Sequence, residues 1–341
     1  MPGFRDETEL EDHLSRPTPA DVDTVRNLDG DFMLLGAGGK MGPTLAMRIQ
    51  RAINEAGSSQ RVIAVSRFSE ERVRETLVDA GIEILSTDLL DEQALFDLPD
   101  AANIIYLAGR KFGSSGNPGL TWAMNVLLPA RVVDRFRDSR IAALSSGNIY
   151  PLMPTTSKGA SEDTPVGPVG EYAQSILGRE RLFEYGAQAY GAKVINLRLN
   201  YALEPRYGIL VDIGTKVFNG EPVDVTMPAV NFIWQGDANS YVLRSLPLAT
   251  SPASVLNIAG PEILRVRDIA TAFAQRFNKP LTITGEEAPT ALLNDGSRAH
   301  QLFGKPLSSW QQAFDWTCDW IATNGRLLGK PTHFEARDGK F

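Results

Sequence analysis

The sequence predicts an α/β protein, a doubly wound parallel sheet followed by a smaller C-terminal lobe. Three observations predict it. Short apolar runs alternate with helical segments from Asp31 to Arg198. The first run stops on a glycine-rich turn, Gly36-Ala37-Gly38-Gly39-Lys40-Met41-Gly42, which opens a helix. Strands separated by helices imply right-handed crossovers, and these make neighbouring strands parallel and bury both faces of the sheet.

Taken in order, Glu7 to Ser15 has helical character and Pro17 to Asp29 reads as a capped connector, so residues 1–28 form an N-terminal extension. Strands are expected at 31–35, 61–65, 82–85, 103–108, 141–144 and 194–198. Leu45, Ile49, Ala52 and Ile53 recur at helical spacing after the glycines, and further helices are expected at 72–80, 91–96, 120–137 and 170–190. Residues 29–200 make the sheet domain. Beyond Asn200 the rhythm loosens into turns, and residues 201–341 are expected to form mainly the lobe, with segments near 230–260 returning to the sheet: the runs Asn231 to Gln235 and Ser254 to Ile258 look like strands. Trp310, Phe314, Trp316 and Trp320 fall on a C-terminal helix, where packing is commoner than stacking on a sugar. The polar tail from Gly329 to Phe341 reads two ways, docked or solvated, and solvated is the reading preferred.

Composition excludes several classes. With 341 residues, 43% apolar and 22% charged, the chain is ordinary for a globular protein with a large core. A net charge of −7 argues against nucleic acid, which needs a basic face. There is no apolar run long enough for a membrane span, and Met1 to Leu28 is too polar for a secretory signal. The single cysteine, Cys318, excludes an internal disulfide, reads as a packing residue, and fits a cytoplasmic setting. His13, His300 and His333 have no metal-ligand spacing, so no metal is expected.

Glycines at the first turn let a backbone approach a pyrophosphate, and the following helix offers it unpaired N–H groups. That context predicts a nicotinamide dinucleotide. Lys40 reads two ways, as a phosphate contact or as a solvated loop lysine. The second strand ends Val65-Ser66-Arg67 with no carboxylate to bind a ribose 2′-hydroxyl, and Arg67 offers a cation for a 2′-phosphate. NADP is therefore expected ahead of NAD. Asp88, ending the third strand, is placed to meet the adenine or to cap a turn.

After the fifth strand comes Ser145-Ser146-Gly147-Asn148-Ile149-Tyr150, and Tyr172 opens the next helix. A hydroxyl at a strand's carboxyl end and a phenol on the following helix converge where open α/β sheets bind ligands. Tyr172 would move a proton and Ser146 would hydrogen-bond the same substrate oxygen. The other reading of Tyr172 is a buried helix-face tyrosine without chemistry.

Here the chain resembles the extended short-chain dehydrogenase/reductase family, the NAD-dependent epimerase/dehydratase group. The resemblance spans about residues 30–325. It is carried by Gly36-x-x-Gly39-x-x-Gly42, Asp88, Leu107-Ala108-Gly109, Asn125, Ser145-Ser146-x-x-x-Tyr150, Tyr172, Glu180, Leu197-Arg198-x-Asn200, Phe232 to Ala238, and Leu256-Asn257-Ile258. It implies a Rossmann domain, a C-terminal substrate lobe, and a homodimer through a helix bundle. It also implies cofactor contacts at Gly36, Gly39, Lys40, Met41, Gly42, Ser66, Arg67, Asp88, Leu89, Leu107, Ala108, Gly109 and Tyr172. Substrate contacts are expected at Arg110, Lys111, Asn148 and Asn200, with Asp237 at the sheet edge and Asn125 fixing backbone near the site.

One position departs. The family's Tyr-x-x-x-Lys reads Tyr172-Ala173-Gln174-Ser175-Ile176, and isoleucine cannot draw a phenol pKa from near 10 towards neutrality. Of the possible substitutes, Lys111 in Ala108-Gly109-Arg110-Lys111-Phe112-Gly113 ranks first; it resembles a family loop that faces substrate. Arg179 and the oxidised nicotinamide ring follow. The catalytic set expected is Ser146, Tyr172 and Lys111. The function expected is hydride transfer as an NAD(P)-dependent oxidoreductase or epimerase on a carbohydrate or sugar-derived substrate. The alternative is a catalytically impaired NADP-binding sensor or regulatory protein.

Overall fold

The computed structural model describes residues 3–111, 113 and 116–339; Phe112 and the tail's Lys340 and Phe341 lie outside them. Seven strands form the central sheet: β1 (Phe32–Leu35), β2 (Val62–Ser66), β3 (Glu83–Ser86), β4 (Asn103–Tyr106), β5 (Arg140–Ser146), β6 (Lys193–Leu199) and β7 (Ser254–Ile258). Their spatial order is β7-β6-β5-β4-β1-β2-β3, every pairing parallel. The order reverses between β1 and β4, so a crevice opens at their carboxyl ends.

Side-chain alternation along the strands sorts the core into two faces. Phe32 and Leu34 pack with the helices α1 (Glu7–Ser15), α2 (Pro19–Asn27) and α3 (Gly42–Ala56) on one side of the sheet, through a cluster containing Val25, Leu45 and Ile49. Met33 and Leu35 face the other side. There they meet residues of α5 (Glu92–Phe96), α7 (Leu128–Arg135) and α8 (Gly170–Tyr190). The helix α4 (Glu71–Asp79) precedes β3, and α6 (Pro118–Trp122) precedes α7.

After β6 the chain builds a second core from α9 (Ile209–Asn219), α11 (Val266–Phe277) and α13 (Trp310–Ala322). Between them lie α10 (Gln235–Ser245), which rejoins the sheet domain, and α12 (Ser297–Phe303). Trp316, Trp320 and Cys318 are buried in this lobe, and burial pushes the Cys318 thiol up to about 12.

Four expectations change. The connector from Pro17 to Asp29 contains the helix α2, started by Pro19 and by a reciprocal capping box between Thr18 and Asp21. The helix expected over 120–137 is broken by a π turn, Ala123–Leu127, between α6 and α7, and ends at Arg135. Of Asn231 to Gln235 only Ile233–Trp234 is a strand, and it pairs with Ala202–Leu203 outside the main sheet. The tail is docked, not solvated. Phe334 is 1% exposed, Thr332 donates to Asp212 from its N–H at 2.8 Å and its Oγ1 at 2.6 Å, and Arg337 donates to Thr290 O at 2.7 Å.

Candidate active site

The crevice holds a cavity of about 400 Å³ that the glycine turn, the loop after β4, the end of β5, the first turns of α8 and the tail all line. Gly36 ends β1 with φ +93°, and a Cβ there would stand 2.6 Å from Ala108 N. Only glycine lets the ends of β1 and β4 come this close. Gly42 is similarly closed by the Ala37 carbonyl, but a Cβ on Gly39 would meet nothing nearer than Gly36 O at 3.3 Å. The turn is therefore open at Gly39. The helix α3 begins beside it with Met41 as N-cap and no side chain capping its first turn. An open glycine backbone facing an uncapped fifteen-residue helix fits a diphosphate.

Lys40 does not complete that cradle. Its Nζ donates to Ala202 O at 2.6 Å and lies 3.8 Å over the Tyr207 ring, so it reaches into the lobe; burial pulls the ammonium down to about 7. Ser66 stands by the turn, its Oγ 2.7 Å from where a Gly38 Cβ would be. Arg67 is exposed. Asp88 accepts Leu90 N–H at 3.0 Å, which is the turn-capping alternative. Leu89 is buried in the apolar layer beneath the sheet, so its side chain is a core contact and not a cofactor contact. Met41, Leu107 and Gly109 line the cavity; Ala108 is buried at its edge against Gly36.

Ser146 and Tyr172 line the same cavity. The Ser146 side chain accepts Asn148 N–H at 3.2 Å, capping the short turn Gly147–Ile149, and acts on the Tyr172 phenol to favour its ionised form. Burial raises the Tyr172 pKa above the ordinary phenol value, against the opposing effects of the Arg179 charge and Ser146. Ile176 is 2% exposed and packs with Ile149, Tyr150 and Ala160 on the cavity wall.

Arg179 is a buried cation with no ion pair to a carboxylate among the described residues. Its Nη1 donates to Leu144 O at 2.6 Å, its Nη2 to Asn125 Oδ1 at 2.9 Å, and its guanidinium lies 5.1 Å over the Tyr106 ring. Asn125, on the π turn, also clasps the Arg110 backbone, accepting its N–H at 2.8 Å and donating to its carbonyl at 3.0 Å. It fixes backbone, as its place in the sequence led us to expect. Neighbouring Glu180 instead closes a buried network: it pairs with Arg198 at 2.8 Å and accepts Ser145 Oγ, while Arg198 donates to Tyr150 Oη at 2.6 Å.

Arg110, Lys111 and Asn148 line the cavity. Lys111 Nζ lies 3.5 Å from Thr332 O, and burial lowers it to about 8 while the charge of Asp212 holds it up. Asn200 is elsewhere. It is 1% exposed and donates to Asn231 Oδ1 at 2.8 Å, so this expected substrate contact is a structural clasp. Asp237 likewise holds a loop, accepting N–H from Leu307 at 3.2 Å and Ser308 at 3.0 Å. Sequence reasoning missed Tyr201, Tyr207, Leu328, Lys330 and Thr332, which complete the wall. No local pattern marks them, because the tail reaches the site only through contacts such as Thr332 with Asp212, 120 positions apart.

A doubly wound sheet with an open glycine turn and a Ser/Tyr pair in one crevice defines a dinucleotide-dependent α/β protein. The chain belongs to the NAD dependent epimerase/dehydratase family, whose sequence model matches residues 32–206; this is a family of NAD-dependent enzymes. Among solved structures it is similar to the UDP-glucuronic acid 4-epimerase of Bacillus cereus in complex with NAD (TM-score 0.70, 17% identity, covering 86% of this chain and 99% of that one). It is similar also to the UDP-glucose 4-epimerase of Thermus thermophilus with NAD (0.69, 18%, 86% and 99%). A third is the UDP-glucose 4-epimerase of Thermotoga maritima with UDP-glucose (0.71, 16%, 86% and 99%). No curated protein sequence matches the chain significantly.

Proposed function

We propose that the protein oxidises, reduces or epimerises a hydroxyl-bearing carbon of a carbohydrate-derived substrate by hydride transfer. The observation that carries this reading is that Ser146 and Tyr172 line one cavity together with the glycine turn. Gly36, Gly39, Met41 and Gly42 would hold the diphosphate, and Leu107 and Gly109 the far half of the dinucleotide. When bound, the nicotinamide ring supplies the hydride acceptor. Ser146 holds the substrate oxygen, and the Tyr172 phenolate takes its proton as the carbonyl forms, or the phenol returns it in reverse. Arg179 supplies the positive charge that Ile176 cannot, and Lys111, first choice from the sequence, turns towards substrate.

NAD is the dinucleotide in the family's description and in the Bacillus cereus and Thermus thermophilus complexes named above, against the expectation of NADP from the sequence. Arg67, exposed just past the end of β2, is the feature that accepts a 2′-phosphate. Isothermal titration with each dinucleotide tests both points. If NADP is used, Arg67→Ala weakens it about tenfold or more and leaves NAD unchanged, the scale of one charge-assisted contact; equal losses exclude the 2′-phosphate role.

A second reading, a cofactor-binding protein without turnover, is favoured by the apolar packing of Ile176. The same preparation separates the two. Hydride transfer requires that Tyr172→Phe keep cofactor affinity and lose roughly 100-fold or more in turnover, followed by absorbance of the reduced ring with sugars and sugar acids. Binding without turnover of any of them selects the second reading. No uptake of either dinucleotide defeats both.

A further inference from the structure

The tail ends on the helix that carries Tyr172. The lobe holds its first part through Thr332 on Asp212, the buried Phe334, and Lys216 paired with Glu335 at 3.1 Å. Arg337 then grips one short strand. Its Nη1 donates to Thr290 O at 2.7 Å and its Nη2 to Thr290 Oγ1 at 2.6 Å. Thr290–Ala291 pairs antiparallel with Met153–Pro154, just past the Ser146–Tyr150 loop. Met153 and Tyr172 pack on the same small cluster of Ile149, Tyr150, Ala160 and Ile176. Two residues after Arg337, the buried Gly339 lies backbone to backbone against Gly170, the first residue of α8.

Both residues of that contact are glycine for a physical reason. Gly170 has φ +82° and Gly339 φ +72°, the left-handed region that side chains disfavour. A Cβ on Gly170 would overlap Gly339 O, and one on Gly339 would overlap Val169 O. A side chain at either position must part the tail from the helix. The contact also falls where the helix is weakest. The first turn of a helix leaves four N–H groups without intrahelical partners. In α8 the N-cap is Val169, half exposed, and no side chain caps the turn. Tyr172 is the third residue of that turn, so its place on the cavity wall depends on the turn staying wound.

We propose that the C-terminal tail is a strap that positions Tyr172: Arg337 anchors it on Thr290, and Gly339 on Gly170 keeps the first turn of α8 wound with the phenol on the cavity. This rests on the hydride-transfer reading, which makes Tyr172 the proton carrier. Arg337 and Gly339 are positioning residues, and neither lines the cavity. Leu328, Lys330 and Thr332 of the same tail do line it, so loosening the strap also lets water reach the phenol.

Hydrogen exchange on the full chain, read by mass spectrometry, tests the strap in Gly339→Val and in Arg337→Met. Amides of residues 171–176 should exchange about fivefold or more faster in both, the scale of one lost helix cap, while those of 180–190 exchange as in wild type. Arg337→Lys should recover most of the protection. The ring resonance of Tyr172 should titrate lower in both variants, towards the ordinary phenol value near 10, because water replaces part of the burial that raises it. Arg337 is half-buried, so Arg337→Met stays informative if Gly339→Val folds poorly. Unchanged exchange at 171–176 overturns the strap, as does an equal rise over the whole chain. Faster exchange with an unmoved Tyr172 titration leaves the tail a structural brace and overturns its positioning role. Neither readout needs turnover. Failure of wild type to take up either dinucleotide defeats the hydride-transfer reading instead, so the two failures are distinguishable.

Discussion

Ile176 stands one helical turn after Tyr172, on the side of α8 that faces the cavity, and it brings no charge there. Arg179, almost two turns on, is also buried, beside Gly109 of the loop after β4, and in the proposed chemistry it supplies that charge where low polarity strengthens its field. Burial still wins: the Tyr172 phenol titrates above its ordinary value, so the phenolate that accepts a proton becomes commoner as pH rises. Oxidative turnover is therefore expected to climb from neutral into alkaline pH. Removing the opposing charge in Arg179→Met should move that climb, and the ¹³C resonance of the Tyr172 ring, about one pH unit further up, equivalent to ~1.4 kcal/mol. Arg179→Lys should restore most of it. A Tyr172 titration that is the same in wild type and Arg179→Met would remove Arg179 from the proposed chemistry.

Among elements, the glycine turn and the π turn do the positioning. Gly36 combines a left-handed φ of +93° with a backbone contact that no side chain can enter, so Gly36→Ala has to part β1 from β4 or distort the turn. A strained site of this kind costs about 1–3 kcal/mol, and the displaced amides should also lose the cofactor. Urea unfolding and dinucleotide titration check the two effects; a wild-type midpoint with wild-type affinity would contradict the geometry. The π turn at Ala123–Leu127 directs Asn125 at both the Arg110 backbone and Arg179, so one amide aligns the loop that carries Lys111 and anchors the cation over the Tyr106 ring.

At the scale of the whole molecule, the N-terminal extension ties the parts together. Glu7 accepts hydrogen bonds from Arg72 before β3, Arg206 at the lobe and Arg326 at the base of the tail, at 3.2, 3.1 and 3.0 Å. Asp21, fully buried, pairs with Arg48 of α3 at 2.8 Å and accepts Ser240 Oγ of α10 at 2.6 Å. Asp21→Ala leaves Arg48 buried without its partner and should cost about 3–5 kcal/mol. Asp12→Ala removes the half-exposed pairs with Arg16 and Arg51 and should cost under about 1 kcal/mol each. Chemical denaturation of the two variants measures the contrast; equal, small losses would mean that the extension is not welded to the sheet domain.

Much of this was legible in the amino-acid order. Strand after strand of the sheet, the span of α8 from Gly170 to Tyr190 and the late strand from Ser254 to Ile258 follow from periodicity and turn residues, which are local properties of the chain. So does the placing of Ser146 and Tyr172 on one cavity, because a strand's end and the start of the helix that crosses back from it converge in a parallel sheet. The misreadings have a common cause. Leu89 and Asn200 fall in family-like positions but are turned into cores, Lys40 is drawn off the phosphate turn by Ala202 and Tyr207, and the polar tail is held by Asp212 and Thr290. Each outcome depends on partners many tens of residues away. The sequence by itself determined the sheet, the glycine turn and the hydroxyl pair; tertiary structure alone decided which cations reach the cavity and what closes it, because side-chain direction and long-range docking are set by burial and hydrogen-bond satisfaction across the whole fold.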